Sequence, residues 1–415
     1  ISGVDDLSVS GTSNIGADVT TTGTQTYSGT TTLSASSTLE GPTVNLNTVT
    51  GGSNALTVTG NLDLDGAISG VTNLSVSVTS NIGANVTTTG TQTYTLVTTL
   101  STDATLTGTA ITASAVSLGT NDLSISNSAA SAISGAVTGT GGLTKAGSGA
   151  LTMSNASTYT GDTTINAGTL TVTGTLSDST DVIVASGATY DVDQNDTVES
   201  VTGSGTTNIA SGKTLTVSSS SNKSSSVVFE GSGNFVKSGS GTLTLLGTNT
   251  ISGDVTVSDG TLYAGNASSS TDTIFNTNVT VNGSNAVLGG GGIIAGNITV
   301  TNGAIAPGNS IGTLYVSGDL NLTSSSTTNI EFNASAADKI VVGTGGNTTI
   351  NGTISLFPEN VTYSTTSPFA NFTTLMTLRQ LGPPNHAIAI LSFPGLVSAI
   401  TGASPTLALA EKADE

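Results

Sequence analysis

The sequence predicts an all-β fold in which short strands stack as a parallel β-helix, or β-solenoid, of about 22–23 residues per coil. Short segments such as LTVTG and TLTVTG alternate apolar residues with Thr or Ser, which indicates strands with one buried face. Long segments also recur at fixed offsets, as expected for stacked repeats. Charged and aromatic residues make up only 8% and 4% of the 415 residues, well below the usual composition of a compact enzyme. Runs of helix-forming residues are nearly absent before Thr377.

The first predicted domain, residues 1–140, is built from a long repeat. VDDLSVSGTSNIGADVTTTGTQTY ends at Tyr27 and VTNLSVSVTSNIGANVTTTGTQTY ends at Tyr94, so that 24 residues recur at an offset of 67. ISG tripeptides divide the same domain into intervals of 67 and 65 residues. We interpret each interval as three coils of about 22 residues.

The acidic side chains of this repeat are not kept between its two copies. Asp6 and Asp18 of the first copy correspond to Asn73 and Asn85 of the second, whereas most Thr, Ser, Gly and Val residues are retained. A duplicated catalytic loop would keep its ionisable residues and let its strands vary. We therefore interpret the repeat as architectural.

The second predicted domain, residues 141–288, contains a different repeat. GGLTKAGSGALTMSNASTYTGDTTINAGTLTV, at residues 141–172, is echoed by GNFVKSGSGTLTLLGTNTISGDVTVSDGTLYA, at residues 233–264. The two segments place Lys145 and Lys237 at the same position, 92 residues apart, which we interpret as four coils of about 23 residues.

This second repeat resembles the autotransporter-associated β-strand repeat. The sequence PGNSIGTL further on resembles a motif near the C-terminal end of autotransporter passengers, and the GTQTY repeats are similar to repeats of large bacterial surface adhesins. The resemblance implies a right-handed parallel β-helix exported from a bacterium, with residues 289–376 as a passenger-like C-terminal folding region. We also expect Ile311 to face the apolar interior. The motif residues are Pro307, Gly308, Asn309, Ser310, Ile311 and Gly312.

Residues 377–415 are predicted to be an atypical apolar tail that caps the β-helix or mediates assembly. The composition changes there from Thr and Gly to Leu, Ala, Ile and Pro, and an exposed apolar segment of this size normally marks an interface. Its most apolar stretch is interrupted by Pro394, Gly395, Gly402 and Pro405. No transmembrane helix is therefore predicted.

The charge and the absence of cysteine argue against several classes of site. Seven Lys and Arg residues against 26 Asp and Glu give a net charge of −19, which disfavours binding to nucleic acid. Without Cys the chain has neither a disulfide framework nor a thiolate metal site. We expect no cofactor.

The sequence offers few candidates for chemistry. His386 is the single histidine, and because no matching acid accompanies it we predict no catalytic residue. Asp191, Asp193, Asn195 and Asp196 form the densest acidic cluster, with the first spacings of an EF-hand loop but without its Gly and final Glu. This cluster is a weak calcium candidate, and a solvated turn is the alternative. A polysaccharide-active enzyme is a less favoured possibility, since the chain has no Trp and few basic residues to line a groove.

These observations favour a non-enzymatic extracellular β-solenoid that acts as an adhesive or structural stalk at a bacterial surface. The expected location is extracellular or on the outer-membrane surface. The alternative is a subunit of a head-to-tail filament, because the open ends of a β-helix can template strand pairing. The partners are accordingly a host or neighbouring-cell surface or matrix, or identical subunits end to end.

Overall fold

The computed structural model of the chain describes residues 1–265, 273–332 and 336–358. Within these residues every regular element is a β-strand and no helix is present. The strands pair in parallel with strands about one coil away, as Leu7 does with Gln25. The predicted all-β solenoid fold is therefore confirmed. The described part of the chain accordingly offers no helical segment capable of crossing a bilayer.

The chain divides into two compact units, one over Ile1–Asn208 and the other from Ile209 onward. The boundary falls inside the predicted second domain, residues 141–288. The strands of the first unit, the last of which ends one residue beyond it, are β1 (Leu7–Val9), β2 (Ser13–Ile15), β3 (Val19–Thr20), β4 (Gln25–Tyr27), β5 (Thr31–Leu33), β6 (Ser37–Leu46), β7 (Val49–Leu64), β8 (Ile68–Val76), β9 (Ser80–Ile82), β10 (Val86–Thr88), β11 (Gln92–Leu100), β12 (Ala104–Gly108), β13 (Ile111–Gly119), β14 (Leu123–Asn127), β15 (Ser131–Ile133), β16 (Val137–Gly139), β17 (Leu143–Lys145), β18 (Ala150–Met153), β19 (Thr163–Ile165), β20 (Thr169–Val172), β21 (Asp181–Val184), β22 (Thr189–Val192), β23 (Asp196–Val198), β24 (Ser200–Gly203) and β25 (Thr206–Ile209). Those of the second unit are β26 (Thr214–Val217), β27 (Lys223–Ser225), β28 (Val228–Gly231), β29 (Asn234–Lys237), β30 (Thr242–Leu245), β31 (Val255–Val257), β32 (Thr261–Ala264), β33 (Thr273–Phe275), β34 (Val279–Gly290), β35 (Ile293–Ile294), β36 (Ile298–Pro307), β37 (Thr313–Val316), β38 (Leu320–Leu322), β39 (Ser326–Phe332), β40 (Lys339–Val342), β41 (Thr348–Ile350) and β42 (Thr353–Pro358).

The coils at the start of the first unit each contain three strand segments, which we assign to sides A, B and C. Side A begins with β1, β4 and the end of β6. Side B begins with β2, β5 and the start of β7. Side C begins with β3, the start of β6 and the middle of β7. Parallel ladders join each side from one coil to the next, so that neighbouring coils satisfy each other's backbone groups.

The coils of the first unit are shorter than the predicted 22–23 residues. Leu7 pairs with Gln25 at an offset of 18, and Leu143 pairs with Thr163 at an offset of 20. Each side needs only a short strand and a tight turn. Three sides therefore close a coil with fewer residues than the about 22–23 that were predicted. The predicted length was wrong because it assumed that each repeat contains a whole number of coils.

The 67-residue repeat in fact ends part of the way around a coil. Gln25 lies on side A, and three coils later side A is reached at Ser80. Gln92 lies two sides further along the chain, on side C, where it pairs with Leu74 of β8. The repeat thus spans three coils plus two sides, or eleven sides. The structural unit that recurs in this repeat is the side rather than the coil.

Columns of apolar side chains fill the interior. On side C, Leu39, Val58, Val76, Tyr94 and Ala113 pair in register and all are buried. Burying each large apolar side chain contributes about 1.5–3 kcal/mol relative to its exposure. The Thr and Ser residues that alternate with them face outward. This is the period-two pattern from which the fold was predicted.

Coil length is not constant in the second unit. Lys237 pairs with Val217 and with Val257, each 20 residues away. Further along, Leu320 pairs with Thr348 at an offset of 28. The additional residues lie between strands, so a longer coil changes the connections while the ladders continue.

Candidate functional site

The repeat markers Tyr27 and Tyr94 face the interior, and each donates a hydrogen bond to a buried glutamine. The bond from Tyr27 Oη to Gln25 Oε1 is 3.0 Å, and that from Tyr94 Oη to Gln92 Oε1 is 2.9 Å. Burial raises the pKa of Tyr27 to about 12 and that of Tyr94 further above its ordinary value, so both phenols stay neutral. GTQTY therefore encodes an internal polar pair and not a surface motif.

Each of these glutamines closes a corner of the coil from the inside. Gln25 Nε2 donates to Val19 O at 3.1 Å and to Glu40 O, in the following coil, at 2.7 Å. Gln92 Nε2 donates to the carbonyls at the same positions of the second copy, at 3.1 and 2.8 Å. Glu40 O also accepts the backbone N–H of Thr21 at 2.9 Å, so the buried amide adds a second hydrogen bond to this carbonyl from inside the corner.

Lys145, the marker of the second repeat, is also buried and donates to backbone carbonyls. Its Nζ donates to Gly147 O and, at 3.1 Å, to Ala167 O in the following coil. Burial lowers the pKa of Lys145 to about 8 from its ordinary 10.5. The ammonium thus lies in a cage of carbonyl oxygens at a corner.

Lys237 lies in the same kind of cage in the second unit. Its Nζ donates to Gly239 O at 2.7 Å and to Asp259 O at 3.2 Å, the positions that match those around Lys145. It also donates to Ser238 O at 2.6 Å. Both lysines are therefore structural donors within the solenoid.

Smaller polar residues close other corners by the same geometry, with an inward side chain donating to a carbonyl two residues away. A sequence search could have found them as isolated polar residues at inward positions next to a turn. The donor and acceptor pairs are Thr21 and Gly23, Ser37 and Ala35, Thr88 and Gly90, Asn127 and Ala129, Ser219 and Ser221, and Asn249 and Gly247.

The replacement of acids by amides between copies of the first repeat has a structural reason. Asp6 Oδ1 and Asn73 Oδ1 each accept a backbone N–H from the following coil, both at 2.7 Å. Asp18 and Asn85 do the same at 2.7 and 2.8 Å. Either side chain supplies the oxygen acceptor, so the position does not require a charge.

The PGNSIG segment forms a tight loop. Pro307 and Gly308 are buried, whereas Asn309 and Ser310 are exposed. Gly308 forms an antiparallel bridge with Gly290 through backbone hydrogen bonds of 2.8 and 2.9 Å. The φ of Gly308 is +80°, and a Cβ there would lie 2.0 Å from Ser310 O, so the loop needs glycine at this position.

Ile311 is partly exposed, and the prediction that it faces the interior was wrong. Ile311 is half-buried and lies outside the buried core, and the buried side chain of Asp338 anchors the segment instead. Asp338 accepts hydrogen bonds from Gly312 N at 2.7 Å and from Glu331 N at 2.8 Å. The inward group at this loop is thus a carboxylate.

The structure does not bring the four predicted calcium ligands together. Asp191 faces outward in β22 and accepts from Asn208 Nδ2 at 2.7 Å. Asp196 faces inward at the start of β23, and Asp193 and Asn195 lie in the turn between these strands. Among the described residues, no group of three or more His, Cys, Asp or Glu side chains could hold a metal ion.

Asp196 instead belongs to a buried polar network that sequence analysis missed. Its carboxylate accepts from Tyr190 Oη at 3.0 Å, from Leu176 N at 3.2 Å and from Thr197 N at 3.0 Å. Burial raises the pKa of Asp196 to about 6, although the hydrogen bonds oppose the shift. This carboxyl group changes charge within the folded solenoid at mildly acidic pH.

His386 and the predicted tail, residues 377–415, lie outside the described residues. The expectations that His386 is not catalytic and that the tail caps or assembles the solenoid stay predictions.

The model of the passenger-associated-transport-repeat family matches residues 143–172 and 235–264. These two segments contain the caged side chains of Lys145 and Lys237. Searches of curated proteins and of solved structures gave no match. The repeat match and the β-solenoid fold together fit an autotransporter passenger domain.

Proposed function

We propose that this chain acts as a non-enzymatic adhesive or structural stalk at the surface of a bacterium. The observation that supports this best is that both segments matching the passenger repeat are coils of a solenoid, with the same lysine cage at the same position. Stacking such coils extends a surface structure without a new fold. The passenger repeat also suggests secretion to the cell surface.

The use of the buried polar groups supports a structural role. The buried glutamine, lysine and asparagine side chains donate to backbone carbonyls of the following coil, and these bonds hold the coils together. The outer faces carry mainly Thr, Ser and Asn, with a net charge of −19 over the whole chain. Such a surface stays hydrated and repels other acidic surfaces, which favours specific contacts over general adhesion.

The partner in this proposal is a host or neighbouring-cell surface or its matrix. In the source bacterium, protease added to intact cells should degrade the chain, and antibodies should label it without permeabilisation. A deletion strain should adhere less to host cells and to other cells of its kind, and expression of the full chain should restore adhesion. Electron microscopy of material released from the surface should show discrete particles.

Each outcome bears on a different part of the proposal. Protection from protease until the cells are lysed would contradict the surface location. Unchanged adhesion in the deletion strain, together with an unchanged cell envelope in electron micrographs, would contradict the adhesive and structural roles. Fibres of uniform width that lengthen with protein concentration would replace the stalk with the head-to-tail filament.

A further inference from the structure

Side A of the first unit carries a shallow recess of about 470 Å³ on its outer surface. Its walls come from successive coils. Thr43, Asn61 and Val97 lie along one edge, and Asp63 and Asn81 lie along the other. Because neighbouring strands are about 4.8 Å apart, the recess presents a polar group at nearly every step along the stack of coils.

Hydrogen bonds between coils hold the polar groups of the recess in place. Asn81 Nδ2 donates to Asp63 Oδ1 at 2.8 Å, and Asn61 Oδ1 accepts from Thr79 Oγ1 at 2.7 Å. Thr99 continues the row of Asp63 and Asn81 and is exposed. The row therefore offers a carboxylate, an amide and a hydroxyl in fixed order on a rigid strand surface.

The recess lies where the second copy of the repeat departs from the first. Residues 28–30 read SGT in the first copy, and residues 95–97 read TLV in the second. Leu96 and Val97 are 46% and 43% exposed, among few large apolar side chains on the described surface that are so accessible. An otherwise polar repeat has thus gained two apolar residues beside the polar row.

The side chains differ at this corner, whereas the register of the backbone against the following coil is the same in the two copies. In the first copy, a Cβ on Gly29 would lie 2.4 Å from Gly11 O, so the turn is tight and leaves no room for a side chain. In both copies the chain has one more residue than the following coil between the tyrosine and the next inward residue, so Leu96 takes the place of Gly29 in the same bulge. In the second copy Leu96 and Val97 are exposed at this bulge, and Val97 forms part of one wall of the recess.

We propose that this recess binds a neutral polysaccharide whose chain lies along the stack of coils. The proposal rests on the adhesive function proposed above and specifies its ligand class. Sugar hydroxyls can pair with the carboxylate, amide and hydroxyl groups of Asp63, Asn81 and Thr99, while the C–H face of a sugar packs against Val97. The spacing of coils, about 4.8 Å, is close to the length of one sugar unit in an extended chain, so successive sugar units can meet successive side chains of the row.

The charge of the chain determines which polysaccharide fits. A net charge of −19 and the carboxylate of Asp63 repel polyanions such as acidic glycans. Two exposed apolar side chains are too few for the apolar centre of a stable protein interface. An uncharged glycan with many hydroxyl groups matches both features.

The test measures binding of the purified full chain to immobilised neutral glucan, mannan and galactan, with hyaluronan as the anionic comparison. The parent chain should bind at least one neutral polymer and should not bind hyaluronan. Asn81→Ala and Thr99→Val should each weaken that binding about tenfold or more. The matched controls are Asn14→Ala and Thr32→Val, the same substitutions at the equivalent positions of the first copy, which should leave binding unchanged. Circular dichroism should show the parent fold in all four variants.

Three results would overturn the proposal. They are the absence of binding to every neutral polymer, preferential binding to hyaluronan, and equal losses in the controls and in the recess variants. Thr99→Val keeps the shape of the side chain, so it serves as the decisive variant if Asn81→Ala does not fold. Adhesion of cells that persists with both recess variants would exclude the recess while leaving the proposed stalk function in place.

Discussion

Gln25 and Gln92 make the same buried hydrogen bonds on two different sides of the solenoid. Each accepts from the tyrosine two residues later and donates to a pair of corner carbonyls, yet the first lies on side A and the second on side C. The interior of a corner is therefore equivalent on different sides. Duplication in this chain can add sides without completing a coil, because each side meets the same kind of neighbour.

Removal of one coil should leave the first unit folded. Without residues 68–85, Val86 takes the place of Ile68 and stacks on Val49, since both residues occupy inward positions on side B. We expect parent-like circular dichroism and a small decrease in the urea midpoint. Deletion of residues 68–84 is the control, because an odd number places outward side chains inside. Deletion of residues 68–90 removes a segment of the coil length predicted from the sequence. If this deletion left the fold as stable as deletion of residues 68–85, the observed coil length would be contradicted.

Two equivalent hydroxyl pairs should respond differently to the loss of a hydroxyl group. Ser13 Oγ donates to Thr31 Oγ1 at 2.9 Å, whereas the matching Ser80 and Thr98 hydroxyls are buried without a partner in the described structure. Thr31→Val should destabilise the fold by about 1 kcal/mol, and Thr98→Val should be neutral or stabilising. Urea unfolding of the two variants compares them directly. Equal destabilisation would mean that Thr98 has a partner, such as a buried water.

Lys145 should make stability depend on pH in the alkaline range. Its pKa is about 8 in the fold and 10.5 ordinarily, so between these values the unfolded chain binds more protons than the folded chain. The contribution of Lys145 to stability should therefore rise as pH increases from 8 to 10.5. The measurement is the difference in urea midpoint between the parent and Lys145→Met across this range. A difference that falls with pH would show that the carbonyl cage favours the charged form more than burial opposes it.

The contribution of Asp196 to folding stability should increase as the pH falls, which is opposite to the usual effect of a carboxylate. Its pKa is about 6 in the fold and 3.8 ordinarily, so in this window the folded chain binds more protons. Its contribution to stability should rise as pH falls from 6 toward 3.8. Asp196→Asn, which stays neutral, should remove this dependence, and thermal unfolding of both chains between pH 4 and 7 measures it. Identical profiles for the parent and the variant would contradict the shift.

The loop at residues 307–312 should depend on Asp338 more than on Ile311. Asp338→Ala leaves two part-buried N–H groups without their carboxylate acceptor, at about 1 kcal/mol each. Ile311→Asp should have a smaller effect, because Ile311 is only half-buried and a carboxylate there stays in contact with water. Leu314→Asp, at a fully buried position, is the control that should disrupt this region. Limited proteolysis of the second unit compares the stability of the three variants. Rapid cleavage of Ile311→Asp would contradict the partial exposure of Ile311 in the structure.

The local alternation of the sequence was sufficient to predict strands, an apolar interior and parallel stacking. Leu39, Val58 and Val76 are inward and alternate with polar residues, and this information is contained in adjacent residues. Tyr27 and Tyr94 have equivalent buried environments in the structure, and so do Lys145 and Lys237. Repetition alone signals such equivalence, since stacked units have similar neighbours.

Only the tertiary structure decided where each repeat lies on the coil and which polar groups meet. The offset of 67 is compatible with three long coils or with eleven short sides, and the hydrogen bonds between strands select the second. The recess beside Val97, the cage of Lys145 and the anchor at Asp338 all join residues about one coil or more apart. Their formation depends on the register between coils, and register is set by how the whole stack packs, which no single stretch of sequence contains.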